Sequence, residues 1–168
     1  MRKAGPRIPA PIDAAEDGTI IETSPASVAL ARELARRLVG QGGAALIVDY
    51  GPERSGVGDT LQAVERHVFA DPWTRPGARD LTAHVDFSAL RMAAEREGAC
   101  SFGPLGQGAW LKELGIDIRA ALLAKARPEK AGDIEAARDR LTAPEQMGEL
   151  FKAMAITAPS WPEPAGFQ

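Results

Sequence analysis

The sequence predicts an α/β fold in which helices cover part of a doubly wound sheet. Three observations predict this class: a capped amphipathic helix leads into a short apolar run, the run ends at an aspartate and a turn, and later strand candidates alternate with helical patterns. Fewer strand candidates occur than a complete sheet of this kind needs. We therefore expect an incomplete sheet whose other half is encoded elsewhere.

The composition is ordinary for a globular protein and disfavours several functional classes. The chain has 168 residues, of which 45% are hydrophobic and 26% charged, and its formal net charge is -3. This charge disfavours a nucleic-acid partner, and the basic cluster Arg32, Arg36 and Arg37 fits a solvated helix face. One cysteine excludes an internal disulfide, and no apolar run is long enough to span a bilayer. We expect a soluble cytoplasmic protein without membrane insertion.

The first part of the chain predicts a lead-in, a short strand and a helix. Residues 1–17 contain three prolines among small and charged residues, which predicts an irregular segment. Thr19–Ile21 fits a short strand. Ser24 can cap a helix whose first position is Pro25, because proline has no N–H to leave unsatisfied there. Gly42 and its glycine neighbours end this helix.

The run Ala44–Val48 is wholly apolar and follows the helix directly. Such a run is typical of a strand buried on both faces in a parallel sheet. Asp49 ends it, and Tyr50-Gly51-Pro52 then predicts a turn at the carboxyl end of the strand.

The remainder predicts strands separated by helices, with a helical insertion over about 107–149. A weaker strand is expected within 59–69 and a loop over 71–79. A helix capped by Asp86 or Thr82 then ends at Gly98, and a strand follows over Ala99–Leu105. Within the insertion we expect one helix that ends near Gly115, two that cover about 117–128 and 132–140, and a fourth opened by the capping-box pattern Thr142–Glu145. The last strand is expected over Phe151–Thr157. The prolines of residues 159–168 predict an irregular tail.

Asp49 is the most informative candidate for a functional site. Ligands of open α/β sheets bind outside the carboxyl ends of the strands, so this carboxylate can face a pocket. It can equally cap its own turn by accepting backbone N–H groups, and both roles stay open. Asp80 and Asp86 lie in a polar segment before a helix, where Asp86 is first a helix cap. His84, in the same segment, can titrate near neutral pH but is also compatible with an ordinary surface position.

Other patterns give little support for nucleotide, metal or thiol chemistry. Gly56-Val57-Gly58 does not join an apolar strand to an apolar helix, and the spaced glycines from Gly103 to Gly108 lack the acidic residue that a dinucleotide fold requires. The pair His67 and His84 and the lone Cys100 are far apart and lack the short spacing of a zinc site. We interpret Cys100 as a buried structural thiol.

Several segments together resemble the second half of the MidA-like class I methyltransferases, which depend on S-adenosylmethionine (SAM). The segments, in order, are Glu22–Pro25, Gly42–Gly51, Gly58–Val64, Asp80–Phe87, Gly115-Ile116 and Leu141–Lys152. Each is weak alone, but their order and spacing are specific. The resemblance implies that 18–158 is the carboxyl-terminal half of a methyltransferase domain. Ala44–Tyr50, Ala99–Leu105 and Phe151–Thr157 would then be the fifth, sixth and seventh strands.

The resemblance also implies a cofactor, a substrate and a partner. The family's glycine-rich loop and its Asn-Glu-Phe-Phe-Asp-type segment do not occur here, so we expect no cofactor-binding residues in this chain and no SAM binding by it alone. Mitochondrial members act on an arginine of a respiratory complex I subunit. Asp49, Tyr50, Gly51, Asp80 and Asp86 would line the pocket for that guanidinium. The chain departs from the family at two positions: Pro52 stands where the family usually has a histidine, and Trp110 where it often has phenylalanine.

The alternative hypothesis is a non-catalytic module derived from the same fold. Half of a parallel sheet exposes an apolar strand edge, which favours a missing amino-terminal half, self-association or another protein partner.

Overall fold

The computed structural model describes residues 15–66 and 68–168; the prediction for 1–17 therefore lies almost wholly outside the described residues, as does His67. The helices and strands, in chain order, are α1 (Pro25–Gln41), β1 (Ala44–Tyr50), β2 (Gln62–Glu65), β3 (Val68–Ala70), β4 (Asp80–Thr82), α2 (Phe87–Arg96), β5 (Cys100–Gly106), α3 (Gln107–Glu113), α4 (Ile116–Ala126), α5 (Ala131–Thr142) and β6 (Phe151–Thr157). In the described part of the chain, none of the helices has the length and apolar character needed to cross a membrane.

The main sheet has the strand order β1-β6-β5. β6 is antiparallel to both neighbours, with Leu46 opposite Ala155 on one side and Phe102 opposite Ala155 on the other. β1 and β5 are therefore parallel to each other, although neither pairs with the other. The apolar run of β1 is typical of a parallel sheet, but its pairing here is antiparallel, because such a run does not specify the direction of its neighbour.

β1 is also less buried than its composition predicts. Leu46 and Val48 are 54% and 40% exposed, whereas Ile47 packs against the core. The core lies on the face covered by α1 and α2, and it joins Ala35 and Phe87 to Ile156 of the central strand. Because β1 is an edge strand with helices on one face, the predicted burial on both faces is wrong.

The helices α1 and α2 begin where the sequence predicts. Ser27 N donates to Ser24 Oγ at 3.4 Å, and Pro25 occupies the first turn of α1. Ala89 N donates to the Asp86 carboxylate at 2.9 Å, which makes Asp86 the cap of α2. The other cap candidate, Thr82, lies in β4.

Two strand predictions before α2 need correction. Thr19–Ile21 forms no strand. The single strand expected within 59–69 is instead a hairpin, in which β2 and β3 are joined through a turn that includes Arg66 at φ 51°. β2 also pairs with β4, which gives a second sheet of order β3-β2-β4, here called the hairpin sheet. Pairing with a strand so far along the chain leaves no local signal in the sequence.

The helical insertion is confirmed for three of its four predicted helices, namely α3, α4 and α5. The capping-box interpretation of Thr142 is wrong: its hydroxyl donates to Arg138 O at 2.9 Å within α5. Pro144–Gly148 is a five-residue π turn. A Cβ on Gly108 would lie 2.4 Å from Thr142 O, so this glycine permits close packing within the insertion.

Cys100 is exposed, contrary to the buried position that the sequence predicts. It is the first residue of β5, an edge strand of the main sheet. Trp110, which stands where the family often has phenylalanine, packs against Phe167 with ring centroids 6.1 Å apart. Its side chain therefore has a packing role.

Candidate functional site

The carboxyl ends of β1 and β5 lie at one edge of the main sheet, beside the start of β6. Tyr50 is opposite Phe151, and Gly106 is opposite Lys152. The ring of Tyr50 makes edge contacts with those of Phe151 and His84, at centroid distances of 5.5 and 5.7 Å. We call this edge, with the loop over 83–86, the rim.

Gly51 brings the loop before α2 against the end of β1. Val85 N donates to Tyr50 O at 3.0 Å. A Cβ on Gly51 would lie 2.1 Å from Val85 O, which no larger residue tolerates without moving the loop. The structure thus brings the segment Asp49–Gly51 beside the segment that contains Asp86.

Both rim carboxylates make local backbone hydrogen bonds. Tyr50 N donates to Asp49 Oδ1 at 2.8 Å, which is the turn-capping role left open by the sequence. Asp86 Oδ1 caps α2 through Ala89 N. Each bond uses one oxygen of a partly buried carboxylate. A carboxylate can accept about four hydrogen bonds, so capping does not exclude a second role.

Asp80 lies apart from this pair. It is exposed at the start of β4, opposite Val64, and it lines a cavity of about 460 Å³ beside the hairpin sheet together with Arg66 and Arg79. Asp80 therefore belongs to the hairpin sheet, whereas Asp49 and Asp86 belong to the rim.

A third carboxylate, Glu22, joins three segments next to the rim and was not among the predicted site residues. It accepts from Thr60 N at 2.9 Å, from Leu61 N at 3.1 Å and from the Thr60 hydroxyl. Thr60 Oγ1 in turn accepts from His84 N at 2.9 Å. These bonds lower the pKa of Glu22, chiefly through the Thr60 hydroxyl and against the opposing effect of burial.

No local pattern marks this connection, because Glu22 and Thr60 are 38 residues apart. The only available signal was that both lie in segments that carry the family resemblance. Gly58 N also donates to Ile20 O at 2.9 Å, so the two segments run side by side. This pairing brings Glu22 beside Thr60, a contact that the sequence does not predict.

Cavities can be described for parts of the chain away from the rim. Among the cavities on the described part of the chain, one lies beside the hairpin sheet and three lie among α3, α4 and α5. Residues 15–66 and 68–168 contain no group of three or more His, Cys, Asp or Glu side chains that could hold a metal ion.

Comparison with known proteins identifies relatives for most of the chain. A family model of S-adenosyl-L-methionine-dependent methyltransferases matches residues 1–105. The mitochondrial protein arginine methyltransferase NDUFAF7 of Rattus norvegicus is 40% identical over 142 residues, which cover 81% of this chain and 31% of that protein. The Drosophila melanogaster homolog is 42% identical over 127 residues, or 73% of this chain and 28% of that protein.

Two crystal structures from Burkholderia thailandensis share the fold. An uncharacterised protein superposes with a TM-score of 0.72 and 29% identity, covering 96% of this chain and 45% of its own. A second protein, bound to S-adenosyl-homocysteine, gives a TM-score of 0.71 and 31% identity, covering 87% and 37%. These likenesses confirm the predicted partial methyltransferase fold.

The chain spans about a third of the length of the curated relatives that it matches. The family model nevertheless matches residues 1–105, which is more than half of this chain. The chain therefore belongs to the MidA-like family of S-adenosyl-L-methionine-dependent methyltransferases.

Proposed function

We propose that this chain forms the substrate side of a SAM-dependent protein arginine methyltransferase. The observation that carries the proposal is the 40% identity, across 81% of the chain, to a protein named for that activity. A relative with bound S-adenosyl-homocysteine, the product of methyl donation by SAM, supports the choice of cofactor. Because the chain spans only part of these relatives, the activity of the whole protein is part of the proposal.

The proposed role of the rim is to hold the substrate guanidinium. An arginine side chain stays protonated at neutral pH, and its planar donors pair best with carboxylates. Asp49 is the first candidate, with Asp86 beside it and Asp80 more distant. Tyr50 and Gly51 would shape the wall between them, where the Tyr50 ring excludes water. SAM would supply the methyl group from contacts made outside the residues described here.

We further propose a protein of respiratory complex I as the substrate and the bacterial cytoplasm as the location. The names of the mitochondrial relatives support an arginine-containing protein substrate. The complex I assignment rests on the family resemblance. We also propose 18–158 as the unit that carries this function, with the helical insertion forming one side of it.

A chimera tests the proposal directly. The matching region of the rat relative is replaced by this chain, and transfer of labelled methyl from SAM to protein arginine is measured. We expect activity in the chimera, and a loss of about 10²-fold in Asp49→Asn, as is typical when a positioning contact is removed. Asp86→Asn keeps the helix cap but removes the charge, so a loss of activity at unchanged stability supports its proposed role.

The matched control is Glu53→Gln, since Glu53 is exposed just beyond the rim. Full activity in folded Asp49→Asn would contradict the pocket role of that residue. A folded chimera that binds SAM but methylates no arginine would favour the interaction-module hypothesis. For the chain alone, titration calorimetry with SAM is expected to show no measurable binding, and clear binding would overturn the placement of the cofactor contacts.

A further inference from the structure

The loop over 83–86 is held in place by two consecutive backbone N–H groups. His84 N donates to Thr60 Oγ1 at 2.9 Å, and Val85 N donates to Tyr50 O at 3.0 Å. The first bond joins the loop to the connection between β1 and β2, and the second joins it to the end of β1. The backbone of His84 is therefore fixed at the rim by two different segments.

The Thr60 hydroxyl is oriented for this contact by Glu22. An ionised carboxylate only accepts hydrogen bonds, so the hydroxyl proton of Thr60 points to Glu22, and the hydroxyl oxygen keeps its lone pairs for His84 N. Donation to a charged acceptor polarises the hydroxyl and strengthens the bond that its oxygen accepts. Glu22 is itself fixed by Thr60 N at 2.9 Å and by Leu61 N at 3.1 Å. One hydroxyl thus connects the position of His84 to that of Glu22.

His84 contributes an aromatic ring to the rim. Its ring meets that of Tyr50 edge to face, with an interplanar angle of 85° and a centroid distance of 5.7 Å. Asp86 follows His84 by two residues and Asp49 precedes Tyr50, so each ring belongs to a segment that also carries a rim carboxylate. Aromatic rings beside carboxylates suit a guanidinium group, because its faces stack on rings while its edge donates to oxygen atoms.

We propose that Thr60 is a positioning residue for arginine methylation. Its hydroxyl holds His84 so that the His84 and Tyr50 rings form one wall of the guanidinium pocket. Thr60 acts through His84 and does not touch the reacting atoms. This role rests on the proposed function, because it requires an arginine substrate at the rim.

Nuclear magnetic resonance of the full chain tests the positioning without any activity. The chain has one tyrosine and two histidines, so the nuclear Overhauser effect between the Tyr50 and His84 rings can be assigned once His84→Gln identifies the His84 signals. Thr60→Val keeps the branched shape but removes the hydroxyl, and the effect should be lost. Thr60→Ser keeps the hydroxyl and should retain it. The matched control is Thr23→Val, an exposed threonine next to Glu22, which should leave the effect unchanged.

Kinetics of the chimera with the rat relative test the consequence for the substrate. Thr60→Val should raise the KM for the arginine substrate about tenfold, because the displaced wall holds the guanidinium less well, and should leave the KM for SAM unchanged. A loss of folded protein would instead lower kcat without changing either KM. Thr60→Ser should restore the KM for the arginine substrate.

The results that would overturn the proposal differ in what else they contradict. An unchanged ring–ring effect, or an unchanged KM for the arginine substrate, in folded Thr60→Val would contradict the role of Thr60 and leave the proposed function intact. A folded chimera that binds SAM but methylates no arginine would contradict the proposed function, and this role with it. Circular dichroism confirms that each variant is folded. Thr60→Ala, which also lacks the hydroxyl, replaces Thr60→Val if that variant does not fold.

Discussion

Glu22 links three parts of the chain through one carboxylate. Its bonds to Thr60 and Leu61 fix the loop after β1, and Thr60 fixes the backbone of His84 at the rim. The lowered pKa of Glu22 is the thermodynamic consequence, since these donors favour the ionised form. Glu22, which caps no helix, thus holds the loop after β1 and the loop over 83–86 at the end of the main sheet.

Glu22→Gln should lower the stability of the chain in a pH-dependent way. The folded pKa lies below the ordinary value of 4.5, so ionised Glu22 adds stability above that pH, and this contribution is lost as the pH falls through the folded pKa. We expect the variant to be less stable by about 1–2 kcal/mol at neutral pH, with the difference shrinking below pH 4.5. Thermal midpoints across this range measure it, with exposed Glu53→Gln as control. A difference that is constant with pH would argue against the mechanism.

Residue roles were predictable where the partner is close in the sequence. Asp86 caps α2 and Ser24 caps α1 as predicted, because a cap needs a donor only two or three residues away. The same reasoning failed for Thr142, since the preceding helix extends to include it and takes its hydroxyl. The Glu22–Thr60 contact could not be predicted, because two distant segments must first be brought together.

The hairpin sheet is held together by charged groups more than by a core. Arg79, whose side chain is only 12% exposed, donates to Glu65 at 3.2 Å and also to Asp71 O and the Thr74 hydroxyl. Its bond to Glu65 is the main reason that the pKa of Glu65 is lowered. By contrast, Phe69 is 76% exposed and contributes little burial. Arg79 therefore orders the connection between β3 and β4.

Arg79→Gln should loosen this element while the main sheet keeps its stability. Loss of the guanidinium leaves the 71–79 connection without its central donor, so amide exchange should become faster there and in β2 to β4. Exchange in α2 and β6 should stay unchanged. Hydrogen exchange followed by mass spectrometry distinguishes these regions. Arg75→Gln, which removes a more exposed bond to the same Glu65, is the matched control and should have a smaller effect. Equal acceleration in β6 would show that the hairpin sheet is not a separate unit.

Elements with a local signature were predictable, and their pairing was not. β1, β5, β6 and the helices follow from apolar runs and helical spacing, and their bounds lie close to those predicted. The antiparallel position of β6 between β1 and β5 could not be deduced from these runs. The resemblance to a known family gave the identity of the strands, whereas hydrophobicity alone predicted too much burial for β1.

At the scale of the whole molecule, one strand carries most of the packing. β6 is central in the main sheet, and six of its seven residues are buried. Small residues such as Ala35 and Ala94 allow α1 and α2 to approach it closely. The core around β6 therefore supports the rim, and the positions of the rim loops depend on that core.

Truncation of the central strand should cost far more than truncation of the edge strand. Ile156 is fully buried beneath the two helices, so Ile156→Ala leaves a cavity and should destabilise the chain by about 2–5 kcal/mol. Leu46 is a matched control: it lies in β1 on the opposite face and is 54% exposed, so Leu46→Ala should cost less than about 1 kcal/mol. Urea denaturation of the two variants gives both values. Similar losses would mean that the outer face of β1, on which Leu46 lies, is covered in solution.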